Sequence, residues 1–306
     1  MARKRFLSSI LLIGMLFAMS TVAFATNDAP DMPAEPAAYS VTTNEYDIYT
    51  HSRRLSNKEL SNQGMSETHI NLIKSDAIEN ELLERASLPA SELSDMGYSS
   101  SQITILKNYN GEPIENKPEL RGVFADMTAK FYKEVASSVT LKVRVYWEWS
   151  NVPLLAGEPI IDLMAIRWQG TNTNGQSINL AFYSATSYAN ANYYSRSGEY
   201  KYSNRLTIVC DSPYDHAYAK VPVGSGDSDQ YGAYYAKTGN FYVQVMRTGT
   251  DYIKEAAFVF AYGHTVVGVS PSLSLPVSFG IGFSVGTEKM VEMAIRMSNT
   301  GHITEY

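Results

Sequence analysis

Residues 139–262 read as a succession of short runs rich in Val, Ile, Phe and Tyr, divided by clusters of turn residues. The runs are VTLKVRVYWEW, PIIDLMAIRW, SINLAFYS, RLTIVC, YGAYYA, FYVQVM and AAFVFAY; the clusters include GTNTNG, SRSG, VGSGDSD, KTGN and RTGT. Strand-length segments broken at this spacing by hairpin chemistry specify an antiparallel sandwich or barrel. No helix-length periodic segments alternate with them, so a parallel α/β sheet is excluded. An all-β domain is therefore expected over residues 121–286, with Trp147 and Trp149 on the core face beside Val143 and Val145. A short helical tail is expected over 287–306, where Met290, Ala294 and Met297 fall on one helical side.

The segment before the strands has a different logic. LSNKELSNQGMSETHINLIKS at 55–75 aligns without gaps on LPASELSDMGYSSSQITILKN at 88–108, with eight of 21 positions identical. Glu59-Leu60 matches Glu92-Leu93 on a short helix, and Gly64 matches Gly97 where a left-handed residue ends it. Ser66 and Ser99 would cap the next helix, whose apolar face uses Ile70 and Ile103 and whose outer side carries His69. Capping boxes at Ser56/Glu59 and Asp76/Glu79 mark two further helix starts, and Ile78, Leu82 and Ala86 form the stripe of a connecting helix. A helical repeat module of about five short helices is expected over residues 51–112. The expected class is α+β: this small module followed by the all-β domain.

Ahead of both lie residues 26–50, which hold Pro30, Pro33 and Pro36 with five acids and no base, and read as an extended acidic linker. Residues 1–25 carry Arg3, Lys4 and Arg5, an apolar run and the small-residue site Ala23-Phe24-Ala25, the pattern of a secretory signal peptide with cleavage before Thr26. An extracellular protein is expected. Without the signal, 22 basic side chains stand against 31 acidic ones, which leaves no basic footprint for nucleic acid. Cys210 is the one cysteine, so an intramolecular disulfide is excluded.

Chemistry-bearing motifs are sparse. No phosphate loop, dinucleotide fingerprint, G-x-S-x-G or H-E-x-x-H occurs, and no cofactor or metal is expected. Asp227 and Asp229 begin like a calcium loop, but Tyr231 and Thr238 stand where ligands would be needed, so a solvated turn is expected. The candidate catalytic residues are Asp211, Asp215 and His216, where CDSPYDHAY places two carboxylates beside an imidazole and Cys210 in one loop. The candidate binding residues are Tyr193, Tyr194, Tyr200, Tyr202, Tyr234 and Tyr235, rings that could engage a sugar or a protein. The leading expectation is a secreted, non-catalytic binding or surface-associated module whose aromatic β domain meets a cell-envelope glycan or protein; an extracellular hydrolase is an alternative.

One further stretch admits a third class. Over residues 267–285, Val, Leu, Phe and Ile hold the odd positions, and Gly, Ser and Pro276 the even ones, with Pro271 the one odd exception. No charge occurs from Thr265 to Thr287. This resembles the membrane hairpins of secreted β-pore-forming toxins, which implies insertion by these strands. A sandwich strand alternates for the same reason, one face buried and one wet, and that is the expectation taken for this ribbon.

Overall fold

The computed structural model describes residues 35–306 except 63–64, 66, 155–160, 196–197, 225–233, 266–271, 276–278 and 284–286. The signal segment, Gly64, Ser66, the Asp227/Asp229 turn and much of the 267–285 ribbon lie outside the described residues. Among the described residues the fold is mostly antiparallel β-sheet with a group of short helices, arranged as two facing sheets.

The chain opens with a correction. Residues 39–44, read as linker, form strand β1 (Tyr39–Asn44), which pairs with β2 (Asp126–Ala136) from Tyr39↔Phe131 to Asn44↔Asp126. The alternation in YSVTTN is short, and the prolines ahead of it mask it. Asn44 then caps helix α1 (Glu45–Arg54), accepting from the Tyr46 N–H at 2.9 Å.

The two aligned segments carry helices at equivalent positions. The pair α2 (Asn57–Asn62) and α3 (Glu67–Lys74) recurs as the pair α5 (Ala90–Asp95) and α6 (Ser100–Lys107), position for position at both ends, with α4 (Ala77–Ser87) between. The equivalences extend to side chains. Leu60 and Leu93 are fully buried. Lys74 Nζ donates to the carbonyls of Arg53 and Leu55, and Lys107 Nζ, its equivalent in the second copy, donates to those of Ala86 and Leu88. Each lysine thus ties the end of its hairpin to the segment preceding it. Gly97 adopts φ +93°, the left-handed turn residue. Ser56 and Glu59 cap reciprocally, but Asp76, at φ −82° and ψ 16°, is outside the extended conformation of a capping residue and makes no cap bond, while Glu79 turns to Arg53 and the Ile114 N–H. His69 is buried rather than exposed, with Nε2 3.3 Å from Glu288.

The first sheet runs β1-β2-β3-β11-β7-β8, using β3 (Thr140–Trp149), β11 (Tyr234–Arg247), β7 (Tyr188–Ser195) and β8 (Tyr200–Leu206). The second runs β16-β15-β12-β4-β10-β9, using β16 (Ile303–Glu305), β15 (Thr287–Ser298), β12 (Ile253–Thr265), β4 (Ile161–Asn172), β10 (His216–Pro222) and β9 (Ile208–Ser212). Short strands β5 (Ser177–Ile178) and β6 (Leu180–Phe182) pair with β4 and β11 respectively. The inner faces of the two sheets share one core containing Trp147, Trp149, Trp168, Phe131, Phe241 and Phe258. KTGN is no turn but the middle of β11. A Cβ on Gly239 would stand 2.5 Å from the Trp147 ring and 2.3 Å from the Asn190 carbonyl, so glycine serves close packing there.

The expected tail helix is also overturned, since β15 pairs with β12 along its length, from Glu255↔Ser298 to Thr265↔Thr287. A bulge between Tyr262 and Gly263 explains the misreading. It turns Met290 and Val291 inward together, after which Met293, Ile295 and Met297 alternate, and the doubled position imitates a helical stripe.

The helices meet the sandwich at a buried polar junction. Asp162 at the start of β4 contacts His264 Nδ1 at 2.9 Å, and accepts from the Tyr262 hydroxyl at 2.8 Å and the Thr265 N–H at 2.9 Å. His264 Nε2 faces the Leu154 carbonyl at 3.3 Å. Glu45 accepts from the N–H groups of Ala125 and Leu154, each at 3.1 Å. Burial pushes the Glu45 carboxyl up to about 7. Burial alone would lower the His264 imidazole, but Asp162 overrides it and raises the ring to about 9. Both raised values give stability that is present at low pH and lost on alkalinisation, between about 4.5 and 7 for Glu45 and between about 6.5 and 9 for His264. Denaturant midpoints should fall steadily from pH 5 to pH 9.5, the His264 limb contributing about 3 kcal/mol. His264→Gln should flatten the upper limb and Glu45→Gln the lower one; a flat wild-type profile would refute this assignment.

Candidate functional site

The three catalytic candidates do meet. His216 opens β10 opposite Arg167 of β4, and Asp211 of β9 and Asp215 of the turn between the two strands both reach its ring. Asp211 Oδ1 is 2.7 Å from His216 Nε2, and Asp215 Oδ2 is 3.0 Å from Nδ1. Both ring nitrogens are thereby engaged, so the imidazole can take a substrate proton only by giving up a carboxylate. Arg167 continues the chain of contacts. Its Nη2 pairs with Asp215 at 3.0 Å, its Nη1 donates to the Gly280 carbonyl at 3.0 Å, and its guanidinium sits 5.3 Å from the centre of the Phe279 ring. The network is therefore a clamp: it fastens Phe279 and Gly280 of the ribbon to β4 of the second sheet. Cys210 donates to the His216 carbonyl at 3.3 Å, and burial, helped by Asp211, pushes its thiol up to about 11. It is a packed thiol rather than a nucleophile. Among the described residues, no group of three or more His, Cys, Asp and Glu could hold a metal.

The described part of the ribbon is a small sheet of its own, β13 (Leu273–Ser274) with β14 (Gly282–Phe283), paired Leu273↔Phe283 and Ser274↔Gly282. It lies on the outer face of the second sheet. Ile281 is buried against Ala165, Val259 and Ala261, with Leu273, Phe279 and Phe283 packed around it. Gly263 makes this seat: a Cβ there would come within 2.8 Å of the Phe283 ring. The Ile281 N–H donates to Glu292 at 3.2 Å. The described apolar residues face protein, but as a separate pair of strands on the outside of the sandwich and not as the sandwich strand expected.

The six binding tyrosines do not form one surface. Tyr193, Tyr202 and Tyr234 lie on the inner side of the first sheet: Tyr193 is buried, stacks on Tyr202 at 4.8 Å and donates its hydroxyl to the Pro222 carbonyl, and Tyr234 packs on the core. Tyr194 and Tyr200 pair edge-on at 5.6 Å on the other side, with Tyr235 buried beside the helices. Neighbours in a strand point to opposite faces, so consecutive tyrosines divide between core and surface.

The outer face instead carries a row that crosses five strands. Tyr132 of β2 packs under Arg144 of β3 (4.6 Å), which reaches Tyr242 of β11 (5.6 Å); Tyr242 stacks on Tyr188 of β7 at 4.1 Å, and Arg205 of β8 lies 5.9 Å from Tyr188. Lys142 adds a cation 5.2 Å from Tyr242. The next row is polar: Asn190 donates to Asn192 and Ser203, and Asn192 to Thr238. At its β8 end the aromatic row borders a cleft of about 390 Å³ lined by Ser184, Ser187, Tyr188, Arg205 and Thr207. None of the row residues is among the six binding candidates, although Tyr188 begins the tyrosine-rich stretch 188–235 from which they come. The available signal was parity, since Lys142, Arg144 and Tyr146 alternate with the buried Val143, Val145 and Trp147.

No protein-family model matches this chain, and no curated protein matches its sequence. Solved structures that align with it include the collagen-binding domain from a Staphylococcus aureus adhesin, at 10% identity and TM-score 0.27 over 55% of this chain and 96% of that one. AvmM, which catalyses macrocyclization in alchivemycin A biosynthesis, aligns at 9% identity and TM-score 0.27 over 56% and 88% of the two chains. A structure of manganese lipoxygenase of Gaeumannomyces graminis with part of zonadhesin of Komagataella pastoris aligns at 10% and 0.24, over 57% and 49%. At these scores neither a family nor a function follows from them.

The clamp makes a prediction about Cys210. With a thiol near 11, alkylation by iodoacetamide at pH 8 should run about a hundredfold slower than for an unstructured cysteine, and reach the ordinary rate on denaturation. Rapid labelling of the folded protein would contradict the burial argument.

Proposed function

We propose that the protein is exported and acts outside the cell as a non-catalytic binding module, holding an anionic glycan of a cell envelope on the outer face of its first sheet. The observation that carries this reading is the row Tyr132–Arg144–Tyr242–Tyr188–Arg205 with Lys142, which collects cations and phenols in a chain that is acidic overall. The Tyr188 and Tyr242 rings stack on each other and Arg144 pairs with Glu134 at 2.9 Å, so the row presents hydroxyls, ring edges and the cations of Lys142 and Arg205 instead of bare ring faces. That favours an extended ligand bearing hydroxyl and acidic groups over a flat apolar one. The cleft beside Tyr188 and Arg205 gives such a ligand an end stop, and the rigid strands under it keep the ordering penalty of binding low.

The signal-like N-terminus supports export, and no helix among the described residues is long and apolar enough to cross a membrane, a statement that does not concern strands. At the second candidate site, the His216 network supports anchoring of the ribbon rather than hydrolysis.

The full mature chain should bind isolated envelope material and acidic members of a glycan panel, with affinity falling as salt rises. Replacing Tyr188 and Arg205 together by Ala should weaken binding about tenfold or more, since each contact contributes on the order of 1 kcal/mol. Unchanged binding by this variant, or a folded parent that binds none of these materials, would remove the reading.

A further inference from the structure

We infer that the second sheet carries a saccharide site of its own, a small cleft beside Tyr214 that takes one uncharged sugar ring. It lies on the opposite sheet from the cationic row and does not depend on it.

The cleft comes from a break in strand pairing. β12 covers one side of β4 along its length, and β10 and β5 share the other, β10 opposite residues 161–167 and β5 opposite residues 170–171. In the gap between them the Trp168 N–H donates to the Asp215 carbonyl at 3.0 Å. Here a cleft of about 280 Å³ opens, lined by Gln169, Ser177, Asn179, Tyr214 and the Arg167–Asp215 pair.

Both walls are held by hydrogen bonds. The Asp215 N–H closes a turn onto the Ser212 carbonyl at 3.1 Å, with Pro213 at the position where proline presets the chain. The Pro213 carbonyl accepts from the Phe182 N–H at 2.7 Å, and the Asp215 carbonyl from Trp168. Tyr214 is thus fixed on both sides while its ring stays 53% exposed. Across the cleft, the Asn172 side chain accepts from the N–H groups of Asn174 and Gln176, Gln169 donates to Ser177 at 3.3 Å, and Thr248 donates to the Asn179 carbonyl at 3.2 Å.

What these walls leave free identifies the ligand. Trp168 stacks on Phe182, and Phe279 lies between Arg167 and Tyr306, so Tyr214 is the ring at the cleft with an open face. Among the described residues, the side chains of Tyr214 and Asn179 make no hydrogen bond. The Asn179 amide both donates and accepts, and the Gln169 amide oxygen accepts beside it. Arg167 and Asp215 neutralise each other at 3.0 Å, so the cleft offers a charged ligand no counter-charge. A flat ring face next to amides is complementary to a pyranose, which has an apolar C–H face and hydroxyls around its edge. The volume is at the lower end of the roughly 300–1,000 Å³ of small-molecule sites, which fits one ring. Fixed walls keep the ordering cost of binding low.

The test uses the full mature chain and the methyl glycosides of glucose, galactose, mannose and N-acetylglucosamine, followed by saturation-transfer NMR and amide-shift titration. At least one should bind saturably, with Kd on the order of 1 mM, and with no dependence on salt. Tyr214→Ala and Asn179→Ala, both at exposed positions, should leave the melting temperature within a few degrees and each weaken binding about tenfold. The Tyr188→Ala, Arg205→Ala double variant should bind the glycoside as the parent does, so the two sites stand or fall by separate measurements. No saturable binding of any of the four glycosides, or binding that Tyr214→Ala and Asn179→Ala leave unchanged, would overturn the inference. So would binding lost in the Tyr188/Arg205 variant, which would assign the sugar to the first sheet.

Discussion

The buried contact between Asp162 and His264 is the constraint on which the rest of the structure depends. Asp162 begins β4, His264 ends β12, the Leu154 carbonyl that His264 faces lies on the way from β3 to β4, and Glu45 opens the first helix. One polar cluster thus joins both sheets to the helical module. Burying such charges is favourable only when each lone pair and proton finds a partner. Here the Asp162 oxygens receive a phenol, a backbone N–H and the imidazole, and the Trp149 indole stands edge-on to His264 at 5.4 Å, closing off water. An apolar plug of the same volume could be as stable, but it would not fix which strand end meets which helix.

From that root the sheets are adjusted by missing side chains as much as by present ones. Gly239 admits Trp147 to the core, Gly170 admits Leu180 at 2.6 Å from its absent Cβ, and Gly263 admits Phe283 to the outer face. The first two allow large residues to interdigitate at close-packed density. The third acts on the outside of the sandwich, where a ring needs a recess because the surrounding seat is nearly flat. Arg85 performs the corresponding task for the helices, donating to the carbonyls of Val152 and Pro153 and to the Tyr98 hydroxyl, so that α4 is held by backbone that leaves β3.

What the sequence revealed, and what it hid, follows from the range of the interactions concerned. The core face of β3 was legible because alternation is local, and the duplicated helical hairpin because each copy closes on its own Leu and Lys. β15 was hidden by a bulge, a property of its pairing with β12 and not of its own residues. β1 was hidden because a single edge strand gains its place from β2. The tyrosines were read by density, yet Tyr193 and Tyr194 point to opposite faces, and the outer row takes one or two residues from each of five strands. His69 looked like a surface residue because its partner, Glu288, belongs to β15, near the other end of the chain. His216, Asp211 and Asp215 were found together as expected, but Arg167 and Gly280, which decide their role, are distant in sequence.

The arrangement also explains how the described apolar residues of the ribbon are covered. Its odd side chains would form an exposed patch, and the Ala and Val side chains on the outer face of β4 and β12 would form another. Laid on each other, the two patches cancel, with large residues above small ones and a cationic side chain over Phe279 closing the rim. This mutual cover needs no backbone ladder and so imposes no register on the second sheet. The core of the sandwich, by contrast, is fixed by ladders on both sides and by three buried tryptophans. The described strands β13 and β14 share no ladder with either large sheet, which distinguishes a cover from a structural strand.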